Sequence, residues 1–250
     1  MLAERTSVAI RAWHAWSPGL ETQAQWRQWA SPSCGDDGAD VEPPLPPLPM
    51  MLRRRTTPLG QRMISSAMAC GAASSRARYI LASRHGEFSR LLGILQSVAR
   101  DELPSPGEFS MSVHHAIAGL LSIHTGNTQG HTAIAAGSDT FGMALFEAAA
   151  CIAETPATPV LLIYGDQPLP EPYAKFQSPL DAEELVVALL LTAVLADDEA
   201  IKIELAPHSD RRSTECTGCT ARAFLKFYLS NAPQGHSTGE RIGWKWTRHG

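Results

Sequence analysis

The most recognisable reactive pair in this sequence of 250 residues is Cys216-Thr217-Gly218-Cys219, two thiols at a spacing that zinc sites and redox-active dithiols use. A zinc ribbon needs a second pair, but Cys34 and Cys70 have no such spacing, and His208 would supply only one more ligand. A redox pair usually opens a helix after a strand, whereas this pair follows a polar stretch. We interpret it as two thiols on a loop and keep a thiol or metal protein as one hypothesis.

Four histidines, which are potential metal ligands, lie close together in the middle of the sequence: His114, His115, His124 and His131. Adjacent side chains on a helix point about 100° apart, so His114 and His115 are poorly placed to bind one ion. We therefore predict no metal site here. Packing or subunit contact is the more natural use of these side chains.

Ser138 and Asp139, with His131 nearby in sequence, are the residue types of a hydrolase triad. The G-x-S-x-G pattern that exposes such a serine is missing, and Asp139 suits the first turn of a helix, where a negative charge is favourable. The sequence also has no G-x-G-x-x-G or P-loop pattern, so we predict no cofactor.

The segments around these residues alternate between strands and helices, which indicates an α/β fold. A helix over Ser112–Leu121 leads through a glycine-rich loop to a strand over Thr132–Ala135. A long alanine-rich helix through Ile152 follows, and then a buried strand over Pro159–Tyr164. The strand, turn and helix together could present a reactive side chain at the start of the helix.

The remaining predicted elements frame this centre. They are a strand over Ser7–Trp13, a short helix with Trp26 and Trp29, a helix over Thr57–Ser74, a strand over Tyr79–Ala82, a helix over Phe88–Arg100, a hairpin of Leu185–Leu195 with Ala200–Leu205, and a helix over Ala221–Leu229. The Pro- and Gly-rich segment 31–49 is predicted to be a loop and 231–250 a basic tail. We expect residues 1–250 to form one domain.

Composition excludes several function classes. The net charge is −4, and no Lys- and Arg-rich stretch alternates with aromatic residues, so we predict no nucleic-acid partner. Arg53, Arg54 and Arg55 form a basic cluster that is either solvated or meets an acidic partner. The longest apolar run, Leu185–Ala196, is shorter than the roughly twenty residues of a membrane span. With no signal-peptide pattern and an odd number of cysteines, we expect a cytoplasmic protein.

Four segments together resemble one family: SRHGE, FSMSVHHAIAGLLSI, AGSDTF and VLLIYGDQPLPEPY. They are similar to the β-ketoacyl synthase-like proteins of aryl polyene pigment clusters, whose role is like that of chain-length factors. The resemblance covers roughly residues 7–247, and the last segment is its most distinctive part. It implies a thiolase-like fold, a mixed sheet with helices like the N-terminal half of a β-ketoacyl synthase, with the alanine-rich helix running through the middle.

The resemblance also implies where an active synthase would carry its nucleophilic cysteine. If Gly137 is matched to the glycine that follows the cysteine in the synthase motif, the cysteine position falls at Ile134. If the match is made on Gly126 and Gly130 instead, the cysteine position moves into residues 135–138. Neither alignment reaches a thiol, and Cys151 lies about four turns into the helix. An active synthase further carries two histidines in a second thiolase-like half, so we predict no catalytic residue in this chain.

Two further hypotheses remain open beside the thiol or metal protein. In the first, the chain is a non-catalytic subunit that pairs with an active β-ketoacyl synthase and shapes the cavity for a polyene chain on an acyl carrier protein. The candidate subunit contacts and cavity residues are Phe109, Met111, His114, His115, Asn127 and Gln129, with Phe141 and Met143 for the cavity. In the second, the chain is a stand-alone acyl-thioester transferase or hydrolase that uses another nucleophile, such as Ser138.

Overall fold

The computed structural model describes residues 7–31, 47–171, 173–177, 183–196, 198–206, 219–239 and 241–249. The strands within these ranges are β1 (Ser7–Trp16), β2 (Arg78–Ala82), β3 (His131–Ile134), β4 (Val160–Asp166), β5 (Leu185–Thr192), β6 (Ala200–Ala206), β7 (Gln234–Thr238) and β8 (Gly243–His249). They form one mixed sheet in the order β3-β2-β4-β5-β1-β6-β8-β7. The pairs β2–β3 and β2–β4 are parallel and the other neighbours are antiparallel.

Helices cover both faces of this sheet. They are α1 (Gln23–Ala30), α2 (Met50–Arg55), α3 (Pro58–Ala69), α4 (Phe88–Val98), α5 (Pro106–Met111), α6 (Ala116–Thr125), α7 (Thr140–Glu154) and α8 (Thr220–Leu229), with short 3-10 turns at Ala72–Arg76 and Ala174–Phe176. The core on one face contains residues of α1, α7 and α8, and the core on the other contains residues of α3 and α6. This arrangement is the mixed α/β fold that the sequence predicted.

The strands β4 and β5 lie in the middle of the sheet and are buried on both sides. Leu162 faces the core that contains α7, whereas its neighbours Leu161 and Ile163 face the core that contains α3. Successive side chains of a strand point to opposite faces, so a strand covered on both faces is apolar at every position. This explains the uninterrupted apolar run in each of these two segments.

The predicted hairpin of β5 and β6 is wrong, because β1 lies between the two strands and pairs with both. Trp13 of β1 is opposite Leu189 of β5, and Val8 is opposite Ile201 of β6. The acidic connection after β5 is attached to β1 through Asp198. Arg11 donates hydrogen bonds to both carboxylate oxygens of Asp198, at 2.6 and 2.5 Å.

Two other segments differ from the prediction. The helix expected over Ser112–Leu121 begins only at Ala116, as α6, and a separate short helix that was not predicted, α5, ends at Met111 before it. The segment 231–250, expected to be a basic tail, contributes the paired strands β7 and β8 to the sheet. The predicted loop 31–49 falls mostly outside the described residues, as does Cys216. No helix in the described part of the chain has the length and apolar composition that a membrane crossing requires.

Candidate functional site

The turn between β3 and α7 is held by hydrogen bonds among its own residues. Gly137 has a φ of +62°, a left-handed conformation that favours glycine, and it redirects the chain toward the helix. The hydroxyl of Thr140 accepts a hydrogen bond from the backbone N–H of Ala136 at 2.9 Å and donates one to the carbonyl of Gly137 at 2.7 Å. The strand, sharp turn and helix that the sequence predicted are therefore present.

No thiol lies at this turn. Ile134, at the end of β3, is half-buried and packs against the core that contains α7. Between it and the first residue of α7 come two alanines, Gly137, Ser138 and Asp139. Ser138 contributes a half-buried hydroxyl group to the turn.

The free cysteines in the described residues are Cys70, Cys151 and Cys219. Burial raises the pKa of the Cys70 thiol to about 12 and also raises the pKa of Cys151 above its usual range. Both thiols are thus poor nucleophiles at neutral pH. Cys219 precedes α8, and its sulfur lies 3.7 Å from the hydroxyl oxygen of Tyr164.

Asp139 connects the start of α7 to the β7–β8 hairpin. Its carboxylate accepts hydrogen bonds from the indole N–H of Trp244 at 3.1 Å and from the backbone N–H of Arg241 at 3.0 Å. Asp139 and Trp244 are 2% and 1% exposed. Gly142, one turn further, lies directly against the Trp244 ring, where a Cβ atom would overlap the indole. The first turn of α7 is therefore covered by the hairpin.

A second buried carboxylate, Asp166, organises the loop after β2. It accepts hydrogen bonds from the Ser83 hydroxyl at 2.9 Å and from the backbone N–H groups of Arg84 and His85 at 2.9 and 3.3 Å. Burial is the largest influence on Asp166 and raises the pKa of its carboxyl group. The sequence motifs SRHGE and YGD, noted separately above, thus form one structural unit.

The predicted contact residues on α5 and after it occupy different environments. Phe109 is 64% exposed, whereas Met111 packs at the edge of the core that contains α3. The His114 ring lies against Gly86, and its Nε2 atom is buried without a hydrogen-bond partner. His115 is exposed and stacks on His131, with ring centroids 5.8 Å apart. In the described residues, no three metal-ligating side chains come together.

The other predicted residues belong to the body of the protein. Asn127 donates a hydrogen bond to the carbonyl of Ala77 and accepts one from the backbone N–H of Gln129, so it holds the loop before β3. Gln129 itself is exposed. Phe141 is 1% exposed and packs between aromatic residues of β4 and α8, and Met143 is half-buried beside the same core.

The helix α4 has an unpartnered apolar stripe that sequence analysis did not single out. Leu91, Leu95 and Val98 are exposed at spacings of four and three residues, and no residue of α4 is buried. Arg90, on the inner side of α4, donates hydrogen bonds to Glu108 of α5 at 2.5 Å and to the carbonyl of Arg55 at 3.0 Å. Polar contacts thus hold α4 against α5, while Leu91, Leu95 and Val98 face outward.

Glu87 lies at the base of α4 and is buried. Its carboxylate accepts a hydrogen bond from the Thr57 hydroxyl at 2.9 Å, which connects α4 to the start of α3. Burial is the main reason that the pKa of Glu87 is raised.

Comparison with known families agrees with this geometry. The family model described as the N-terminal domain of β-ketoacyl synthase matches residues 26–247, and the chain therefore belongs to that family. The predicted family is confirmed. No curated protein matches the sequence.

Solved structures give a more particular likeness. A chain in the complex of the ketosynthase ApeO with its chain length factor ApeC from Xenorhabdus doucetiae is 26% identical, with a TM-score of 0.79, and the match covers 97% of this chain and 99% of that one. The complex AntDE:AntF, a type II polyketide synthase acyl carrier protein with its ketosynthase, gives 14% identity, a TM-score of 0.63, and the same coverage. The ishigamide ketosynthase/chain length factor gives 15% identity and a TM-score of 0.60 over 90% of this chain and 74% of that one. The protein is thus similar to ketosynthase/chain length factor complexes, and its thiolase-like fold is confirmed.

Proposed function

We propose that this protein is a non-catalytic, ketosynthase-like subunit that pairs with an active β-ketoacyl synthase and shapes the cavity for a growing polyene chain. The acyl carrier protein delivers the chain and the partner's cysteine holds it. The observation that carries the proposal is the turn between β3 and α7, which has no thiol from Ile134 to Asp139. Without a thiol, this turn cannot form the thioester that a condensing enzyme needs.

The alternative of a stand-alone transferase or hydrolase has less support. A serine hydroxyl needs a base within hydrogen-bond reach. His131 lies at the opposite end of β3, about 10 Å along a strand that rises roughly 3.3 Å per residue, and its ring stacks on His115. The neighbouring carboxylate of Asp139 already accepts hydrogen bonds from Trp244 and Arg241. Both of the nearby groups that could act as a base are thus engaged in other contacts.

The exposed surface supports the pairing. β3 is an edge strand with exposed side chains at His131 and Ala133, and an open edge can accept a strand from another chain. The stripe Leu91, Leu95 and Val98 on α4 is apolar, and such exposed apolar groups mark contact surfaces. The full-length likeness to a chain from a ketosynthase and chain length factor complex points to the same partner class.

The roles of individual residues are part of the proposal. Phe109 and His115 are exposed and are assigned to the subunit contact together with Met111, His114 and Gln129. Asn127 acts through the loop that it holds. Phe141 and Met143 are assigned to the support of the cavity floor, since Phe141 is buried within this chain.

Co-expression with an active β-ketoacyl synthase of the same organism tests the proposal. The pair should elute together from a size-exclusion column, and the variant Phe109→Asp should reduce the amount of complex at least tenfold, because it places a charge in an apolar contact. Leu195→Asp is the matched control: Leu195 is 66% exposed, like Phe109 at 64%, but lies in the connection after β5.

Two outcomes would contradict the pairing. One is that this chain elutes alone while the synthase makes polyene at its full rate without it. The other is that both variants leave the complex unchanged while a labelled acyl chain is recovered on this subunit instead of on the synthase.

A further inference from the structure

A cleft of about 390 Å³ lies between β1, α3 and the segment that leads into α2. Its floor contains His14 and Ser66, whose Nδ1 and Oγ atoms are 2.9 Å apart, and these residues are 3% and 1% exposed. Binding sites for small molecules have volumes of roughly 300–1,000 Å³ and combine apolar walls with a few placed polar groups. This cleft has the size and the mixed lining of such a site.

The apolar part of the lining is one wall of the cleft. Pro47, Leu48 and Pro58 belong to it, and Leu48 is buried. Trp16 lines the cleft as well, with the guanidinium of Arg62 above its ring at 3.7 Å from the centroid. A ligand with an apolar body would cover the part of this wall that is exposed, at Pro47 and Pro58, and remove it from water.

The charge in the cleft is positive. Arg62 forms an ion pair with Glu184, which fixes the position of the Arg62 guanidinium group. A guanidinium group has five N–H donors, so others remain for a ligand. Arg53 is exposed on α2, lines the same cleft, and has no ion-pair partner among the residues that the structure describes. Among the residues that the structure describes, these two guanidinium groups and one carboxylate leave a net positive charge at the cleft.

The geometry points to a binding site for a small organic anion, a carboxylate on a planar apolar body, in the cleft between β1 and α3. The carboxylate lies between Arg53 and Arg62, where charge-assisted hydrogen bonds can form. The planar body lies against Leu48 and Trp16. An inorganic anion would leave the apolar wall uncovered, and a neutral ligand would leave Arg53 without a counter-charge. The cleft is on the face of the sheet opposite α7, so this inference does not depend on the proposed pairing function.

Titration of the protein with benzoate, benzamide and inorganic phosphate tests the site, by calorimetry and by amide chemical shifts. Benzoate should saturate at about millimolar concentration, as expected for so small a ligand, and should shift the signals of His14 and Ser66. Arg53→Gln should weaken benzoate binding about tenfold, the lower end for a lost charge-assisted bond. Arg54→Gln removes the same charge from the same helix but from a residue outside the cleft, so it should leave binding unchanged.

A second variant, Ser65→Trp, fills the cleft from a half-buried lining position and should abolish binding while the far-ultraviolet spectrum stays unchanged. Equal affinity for benzamide or phosphate would overturn the assignment to an organic anion. An equal loss in Arg53→Gln and Arg54→Gln, or no saturation in the unmodified protein, would overturn the site itself.

Discussion

Replacing Asp139 by alanine removes the carboxylate that joins the start of α7 to the β7–β8 hairpin. Two donors then lose their acceptor: the indole N–H of Trp244 and the backbone N–H of Arg241. Neither is free to turn to water without movement of the hairpin, since Trp244 is 1% exposed and the carboxylate itself is buried. The decrease in the free energy of unfolding therefore includes the cost of leaving buried donors unpaired, in addition to the hydrogen bonds themselves.

The magnitude follows from these two hydrogen bonds. A hydrogen bond to a charged group contributes roughly 1.5–3 kcal/mol to the free energy of unfolding. Because both donors share one carboxylate, their contributions overlap, and we expect a total loss of about 3 kcal/mol, not the full sum. For a chain of 250 residues, each kcal/mol corresponds to about 2–4 °C, so the Tm should fall by roughly 6–12 °C.

Urea unfolding followed by tryptophan fluorescence and by circular dichroism measures this change, with thermal melts beside it. Glu154→Ala, at the exposed end of the same helix, is the control and should change the free energy of unfolding by no more than about 0.5 kcal/mol. If Asp139→Ala lowers the free energy of unfolding by less than about 1 kcal/mol, the reasoning is refuted, because the loss of two hydrogen bonds to a buried carboxylate should cost more than that.

Three further predictions concern packing, pH and chemistry. Gly142→Ala should cost roughly 1–3 kcal/mol by driving a methyl group into Trp244, whereas Gly93→Ala, in α4 with open space around it, should stabilise by up to about 1 kcal/mol in the same urea assay. Burial raises the pKa of Glu87, so at a pH between the ordinary and the raised value the folded protein keeps a proton that the unfolded chain has released. The free energy of unfolding should therefore fall as the pH rises through that interval. Urea titrations of Glu87→Gln at several pH values should lack this dependence. Incubation with a short acyl thioester should give no adduct on residues 134–138 by intact-protein and peptide mass spectrometry, and a stoichiometric adduct there would favour the stand-alone transferase.

Sequence reasoning was most successful where burial dictates composition. The run VLLIY and the alanine-rich segment before it each predicted their element, and the structure places them at β4 and α7. A segment that is apolar on every side has to be covered on every side, whatever the topology. The turn between β3 and α7 was predictable for another reason, since Gly137, which is left-handed in the structure, separates a strand pattern from a helix pattern.

The order of the strands in the sheet could not be predicted from local sequence patterns. The two apolar runs around Asp197-Asp198-Glu199 have the local pattern of a hairpin, but β1 occupies the space between them. The competing partner is far away in the chain: Arg11 and Thr192, which are hydrogen-bonded, are 181 positions apart. Local patterns describe which segments are strands and give no information on a neighbour at that distance.

The last hairpin was missed although it carries a strand signal. In Trp244-Lys245-Trp246 the buried and exposed residues alternate, which is the period of a half-buried strand, but the basic charges outweighed it in the interpretation. Its contact with Asp139 spans 105 positions and depends on how the hairpin is seated on α7. No local spacing indicates such a bond.

The central position of β1 has a consequence for synthesis. Once translated, β1 has no neighbour in the sheet until β5 and β6 have been made, because those are the strands that it pairs with. Contacts of such large sequence separation form slowly, and an apolar strand that waits for its neighbours is open to wrong pairing. The nascent chain therefore carries an unpaired β1 while residues 17–184 are translated. Slowing elongation after residue 206 should matter less for the yield of folded protein than blocking β1 before that point.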